Sequence, residues 1–223
     1  MKLVGLLGGT FDPIHFGHLR LAQELADALS LDEVRFIPAA NPPHRQAPGA
    51  SAVHRAAMVR LAIAANPAFG IDECELERYI LSGEPSYTID TVLALRRQLE
   101  DGDETEAHAL CLLMGSDAFM GLATWRRWEE LLELCHIVVA HRPNMLPQPQ
   151  QMPDELQAQW RDRATDAPQD LLHSRGGRIL VQHITPLDIS ASAIRDGLQQ
   201  GASPRYLLPD DVINYIDAYG LYR

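Results

Sequence analysis

The sequence predicts an α/β fold built on a doubly wound parallel sheet with short C-terminal helices. Three observations predict it. Apolar runs at Leu3–Leu7, Ala109–Met114 and Ile137–Ala140 are nearly continuous, as expected for parallel strands covered on both faces. These runs alternate with segments of helical periodicity, the signature of stacked strand–helix units. The first run leads through Gly8-Gly9 into a helix, the junction at which open α/β sheets collect ligands.

The elements follow in order. Residues 2–7 predict the first strand. Residues 16–29 predict a helix with apolar positions at Leu19, Leu21, Ala22, Leu25, Ala26 and Leu29. Val34–Ile37 is a second strand, and Pro38–Ala50 a loop rich in Pro and Ala. A helix begins near Ser51 and ends before Asn66-Pro67. Ile71–Leu76 alternates like a half-exposed strand. Pro85-Ser86-Tyr87-Thr88 opens a helix to about Leu99, followed by an acidic connector from Glu100 to Glu106. Ala109–Met114 is a buried strand closed by Gly115-Ser116-Asp117. Thr124–Leu134 reads as a helix with Trp125 at its start, and Ile137–Ala140 as another strand. Pro143–Pro153 is a Pro- and Gln-rich excursion. Asp154–Arg163 predicts a helix, Arg178–Ile184 the last strand, and Ser190–Leu198 and Pro209–Tyr219 short helices. No internal repeat is visible. The expectation is one domain over 1–223, with a C-terminal helical portion from about 186.

The chain has 223 residues and a formal net charge of −11. That length fills one α/β domain. The acidic balance argues against non-specific nucleic-acid or anionic-membrane binding, since phosphate would be repelled at long range. A small anionic substrate stays possible if cations gather in one cleft. Cys74, Cys111 and Cys135 are widely spaced with no CxxC pair, which points to free thiols in a reduced, cytoplasmic protein. The apolar run after Lys2 is too short for a membrane span and lacks a small-residue cleavage site, so it reads as a core strand.

The run Gly8-Gly9-Thr10-Phe11-Asp12-Pro13-Ile14-His15-Phe16-Gly17-His18 carries the chemistry. Helix N-termini offer N–H groups and a positive dipole end to phosphate, and glycines let the backbone come close. His15 and His18 are three residues apart and share a face of the first turn. As a metal pair they lack a third ligand of suitable spacing, so no metal site is assigned. The pattern is that of a triphosphate site without a Walker lysine.

This run resembles the first motif of the nucleotidyltransferase superfamily marked by HxGH. Ile189-Ser190-Ala191-Ser192-Ala193-Ile194-Arg195 is similar to its second, ISxSxxR. The two lie near opposite ends, so the resemblance spans nearly the whole chain and implies a Rossmann-like nucleotidyltransferase fold. Pro42-Pro43-His44-Arg45, Pro85-Ser86-Tyr87-Thr88-Ile89-Asp90-Thr91 and Gly115-Ser116-Asp117 with Trp125 resemble segments of the bacterial nicotinate-nucleotide adenylyltransferases. The sequence departs from some of them at Ala39 and Ala40, where asparagines precede the Pro-Pro-His loop.

The resemblance implies transfer of AMP from ATP to nicotinate mononucleotide, with Mg²⁺ carried by the ATP. His15, His18 and Arg195 would act on the phosphates. Gly8, Gly9, Thr10, Phe11, Ile189, Ser190 and Ser192 would line the ATP site, Arg45 would close over the polyphosphate, and Asp117 would contact the ribose. Trp125 would stack on the pyridine ring. Thr88 and the backbone N–H of Arg126 would hold the nicotinate carboxylate, with His44 near the acceptor. Plainer readings stand beside these: Ser190 as a helix N-cap, Asp117 as a turn former, Thr88 as an ordinary first-turn residue and Trp125 as core. Trp128 and Trp160 read as packing residues, and the other histidines show no partner in sequence.

Three rivals differ in chemistry. A sibling enzyme would adenylylate phosphopantetheine or another small phosphate, and differ in the Thr88 and Trp125 region. A nucleotide sensor would bind ATP without turnover and would not need the full set of His15, His18 and Arg195. An aminoacyl-tRNA synthetase fragment would share HxGH, but the chain lacks a lysine-rich loop of that class and is acidic.

Overall fold

The structure is a computed structural model, and it describes residues 1–41, 47–100, 107–141, 149–185 and 187–223. The expected connector after Glu100 lies mostly outside the described residues. Among the described residues seven strands form one sheet: β1 (Lys2–Gly9), β2 (Glu33–Pro38), β3 (Phe69–Ile71), β4 (His108–Gly115), β5 (His136–His141), β6 (Ala164–Thr165) and β7 (Ile179–His183). Their order is β3-β2-β1-β4-β5-β7-β6. The β1–β4, β4–β5, β5–β7 and β6–β7 pairings are parallel, with Leu3 opposite Ala109, Leu112 opposite Ile137 and Val138 opposite Leu180.

The helices are α1 (Phe16–Leu29), α2 (Ala52–Ile63), α3 (Cys74–Ser82), α4 (Thr88–Glu100), α5 (Ser116–Met120), α6 (Trp128–Leu134), α7 (Asp154–Arg163), α8 (Ala191–Gln199) and α9 (Asp210–Tyr219). Most match the sequence reading within two residues. Among the described residues no helix is long and apolar enough to cross a membrane.

Two elements correct it. The half-exposed strand expected over Ile71–Leu76 stops at Ile71, and a helix starts at Cys74. The Asp72 carboxylate accepts from the Cys74 N–H at 3.0 Å, Glu75 and Glu77 sit in the first turn, and Gly83 ends the helix at φ 70° with its N–H on Tyr79 O. Local capping therefore overrides the period-2 pattern. The continuous helix expected over Thr124–Leu134 is broken as well. A 3-10 turn covers Leu122–Thr124, Trp125 is extended, Arg127 is left-handed at φ 54°, and α6 begins only at Trp128. Trp125 therefore lies in a connector rather than at a helix start.

The chain folds as two compact units. One comprises Met1–Leu7, Glu24–Val34 and Tyr87–Thr185; the other Gly8–Gln23, Arg35–Ser86 and Pro186–Arg223. The first has a core of strand residues, including Leu6, Leu110, Val138 and Ile179, covered by Ile89, Leu95 and Leu131. Buried Arg96 holds it together: Nε donates to Leu134 O and Nη1 to His108 O, both at 2.9 Å, while Nη2 reaches Leu134 O and Arg175 O. Phe119 and Trp160 rings meet at 5.8 Å in this unit. His136 takes the Arg178 N–H on Nδ1, which leaves Nε2 to donate to Ser174 O at 3.0 Å.

The second unit packs Phe11, Phe36, Met58, Val59, Val212 and Ile216. Phe11, Phe36 and Phe69 form a line of rings at 5.9 and 5.3 Å. Ser51 caps α2 by accepting from the His54 N–H. His54 meets α9 through the Tyr215 hydroxyl at 3.0 Å.

Candidate active site

The second unit brings the two sequence motifs together. The chain leaves β1 at Gly9, whose O accepts from the Ala39 N–H at 2.9 Å. A Cβ at Gly9 would stand 2.8 Å from the Phe11 ring, while Gly8 has open space on its Cβ side. Phe11 is buried with φ 48°, a conformation that L-residues adopt only when their surroundings hold them there. Its ring meets the His18 ring edge-on at 5.0 Å.

His15 precedes α1 and is 5% exposed. Its ring stacks on that of His18 at 3.8 Å, and its backbone N–H donates to His18 Nδ1 at 3.3 Å. A nitrogen that accepts carries no proton, so in its neutral form His18 holds its proton on Nε2. Burial pushes the His15 imidazole down to about 4, so it is uncharged at neutral pH. His15 Nδ1 is buried with no hydrogen-bond partner among the described residues. A Cβ on Gly17 would come within 2.9 Å of that atom and 3.6 Å of Ile189 O. The absence of a side chain at 17 therefore makes room for the His15 ring, while Ile189 O stands at ordinary contact distance.

Ser190 caps α8, its Oγ accepting from the Ala193 N–H at 3.2 Å. The plain N-cap reading is thus observed. Ser192 Oγ lies 3.3 Å from Ser190 Oγ. Arg195, one turn in, donates from Nη1 to Asp12 O at 2.6 Å and stands 3.6 Å from Asp12 Oδ2.

Three residues around this junction escaped the sequence reading. The buried Asp12 carboxylate accepts from the Gly49 N–H at 2.7 Å, the Ala50 N–H at 3.1 Å and the Tyr222 hydroxyl at 2.7 Å. Arg55 is fully buried and donates to Thr10 O at 2.6 Å, Ala40 O at 2.9 Å and Ala50 O at 3.2 Å. The sequence signal for Asp12 lay inside the motif itself. For Arg55 and Tyr222 nothing local distinguishes them, because their partners are distant carbonyls and a distant carboxylate.

The first unit holds the other expected residues. Thr88 is the first residue of α4. The Arg126 guanidinium lies 4.7 Å over the Tyr87 ring and 3.9 Å from the Asp90 carboxylate, so Arg126 and the first turn of α4 are together. Trp125 is half-buried, and Asp117 is exposed within α5, at the end of β4. His44 and Arg45 lie outside the described residues. Among the described residues no three His, Cys, Asp or Glu side chains stand together as metal ligands.

A strand–glycine–helix junction carrying two histidines is tied here to Arg195 of α8, the pairing that the two sequence motifs imply for a nucleotidyltransferase. The chain belongs to the cytidylyltransferase-like family, whose profile it matches over residues 6–197. It is 48% identical over 222 residues to a probable nicotinate-nucleotide adenylyltransferase of Pseudomonas fluorescens, covering 100% of this chain and 98% of that one. It is 46% identical over 220 residues to the protein of the same name from Dechloromonas aromatica, covering 99% and 97%. Its fold matches the Plasmodium falciparum nicotinic acid mononucleotide adenylyltransferase complexed with NaAD, with a TM-score of 0.68 over 100% and 98% of the two chains at 18% identity.

Proposed function

We propose that the protein transfers AMP from ATP to the phosphate of nicotinate mononucleotide, making nicotinate adenine dinucleotide and pyrophosphate in NAD biosynthesis. Full-length similarity to relatives of that name supports the reading. The observation that carries it is the Arg195–Asp12 link, which joins the two phosphate motifs in one unit.

The acceptor phosphate is already anionic, so it attacks the α-phosphorus without a protein base. The bond from the α-phosphorus to the bridging oxygen breaks, and negative charge collects on the leaving pyrophosphate. The protein contributes alignment and N–H donors where that charge grows. His18 offers Nε2–H. His15, kept uncharged by burial, adds a neutral donor beside it. The start of α8, with Ser190 and Ser192, gives a helix N-terminus to the phosphates, and Arg195 adds a cation. Gly8, Gly9, Thr10, Phe11 and Ile189 line the nucleotide, Asp117 contacts its ribose, and the motif assigns Arg45 to the polyphosphate as a further cation. This donor set is nitrogen-rich and suits phosphate oxygens rather than a hard cation. Mg²⁺ therefore arrives as part of the substrate MgATP.

For the acceptor, Trp125 gives the pyridine ring a flat apolar partner, and the Pro-Pro-His motif assigns His44 to the acceptor. Thr88 and the Arg126 backbone N–H hold the carboxylate. A helix start and a nearby guanidinium favour that carboxylate over a neutral amide. We assign the whole of 1–223 to one nucleotidyltransferase domain, since the family match takes in segments of both compact units. The free thiols of Cys74, Cys111 and Cys135 suit a reducing compartment such as the cytoplasm.

The test is pyrophosphate release from ATP and Mg²⁺ with nicotinate mononucleotide, its amide analogue or phosphopantetheine. Release strongly favouring the nicotinate form supports the assignment. Release with phosphopantetheine alone, or with none of the three, overturns the acceptor.

A further inference from the structure

We propose that Tyr222 is a positioning residue for Arg195, acting through the buried carboxylate of Asp12; the inference rests on Arg195 being a contact to the ATP phosphates. Tyr222 and Asp12 are 210 positions apart, yet the Tyr222 hydroxyl donates to Asp12 Oδ1 at 2.7 Å. The two carboxylate oxygens divide their partners. Oδ1 takes the Tyr222 hydroxyl and the Ala50 N–H. Oδ2 takes the Gly49 N–H and faces Arg195 Nη1 at 3.6 Å. That same Nη1 donates to the Asp12 main-chain oxygen. One edge of the guanidinium is therefore anchored on Asp12, while the side chain stays 32% exposed and open to a ligand.

Gly49 lies against both partners. A Cβ there would stand 3.1 Å from the Tyr222 ring and 3.2 Å from Arg195 Cδ. Burial, with the Asp12 carboxylate second, pushes the Tyr222 hydroxyl upward, so it remains a protonated donor at any working pH. Tyr222 is itself buried and left-handed at φ 62°. Removing its hydroxyl leaves the packed ring in place and takes the shortest bond from Oδ1, so that the carboxylate is held by the Gly49 and Ala50 N–H groups alone. Arg195 keeps its bond to the Asp12 main-chain oxygen but faces a less firmly held counter-charge. A planar fork aimed at phosphate gives most of its binding when it is aimed in advance.

The experiment measures binding of MgATP and of adenosine, which carries no phosphate, to the full chain and to Tyr222→Phe, Arg195→Lys and the double variant. Arg223→Ala, which removes only the exposed pair with Asp217, serves as control. Tyr222→Phe is expected to weaken MgATP by about threefold to tenfold through the lost preorganisation of Arg195, with adenosine within about twofold of the unaltered protein. The double variant is expected to bind MgATP little worse than Arg195→Lys, because neighbours in one network do not add. Unchanged MgATP binding in Tyr222→Phe overturns the proposal. So do equal losses for MgATP and adenosine, or fully additive losses, each of which marks a merely structural tyrosine. These arms read binding, so they decide the matter even if nicotinate mononucleotide proves not to be the acceptor.

Discussion

The rings of His15 and His18 lie 3.8 Å apart at an interplanar angle of 25°, and the His15 main-chain N–H donates to His18 Nδ1. The first histidine thus selects the tautomer of the second. His18 presents Nε2–H without needing a charge, and burial keeps His15 uncharged next to it. Two imidazolium rings at this spacing would repel each other.

Replacing His18 with Ala removes that donor. If it faces the charge that grows on the leaving pyrophosphate, kcat falls roughly 100- to 1000-fold. His18 is half-exposed, so thermal unfolding should move little. Steady-state pyrophosphate release and a melting curve check both halves.

Stability depends on pH through His15. Its folded pKa, about 4, lies below the unfolded value near 6.5. Between those two values the unfolded chain binds the extra proton. Stability is therefore full above about pH 6.5 and falls as pH drops toward 4, by an amount on the order of 3 kcal/mol. His136, also pushed down chiefly by burial, adds to the slope in the same direction. Urea unfolding at pH 7 and pH 5 should show the loss, and His15→Asn should flatten it in part.

Arg55 satisfies three carbonyls, at Thr10 and at Ala40 and Ala50 of the connection between β2 and α2. Arg55→Met keeps much of the volume and strands all three oxygens. The expected loss is at least about 3 kcal/mol in urea unfolding. Arg55→Lys keeps the charge but not the planar fork, and should fall between the two.

The acceptor residues should separate from the ATP residues in kinetics. Trp125→Ala is expected to raise KM for nicotinate mononucleotide about tenfold through lost stacking. KM for ATP should stay near its original value. Thr88→Val should act more on the nicotinate than on the amide substrate and so reduce the ratio between them. Measuring KM for each substrate in turn settles both.

Much of this was legible in the chain. The strand runs at Leu3, Ala109 and Ile137 announce themselves, because a parallel strand buried on both faces must be apolar throughout. The α1, α2, α4, α7, α8 and α9 segments follow from period and caps, with Ser51 and Ser190 capping where they were expected. The two phosphate motifs were visible as residue types at a strand–helix junction and at a helix start. The α3 helix was written in Asp72 and Gly83, but the alternation at Ile71–Leu76 masked it. The break at Arg127 has no signal in residue type, since a left-handed backbone at an arginine is not marked in the sequence.

The sequence by itself determined most of the strands and helices and the residue types of the two motifs, because periodicity, caps and motif chemistry are local. The tertiary structure alone decided that Arg195 rests on Asp12, that Tyr222 comes back to hold the same carboxylate, and that Arg55 ties the Thr10 turn to Ala40 and Ala50 between β2 and α2. Those contacts join residues up to 210 positions apart. A buried charge finds its partners only once the chain has folded around it and desolvation makes every unmet hydrogen bond costly.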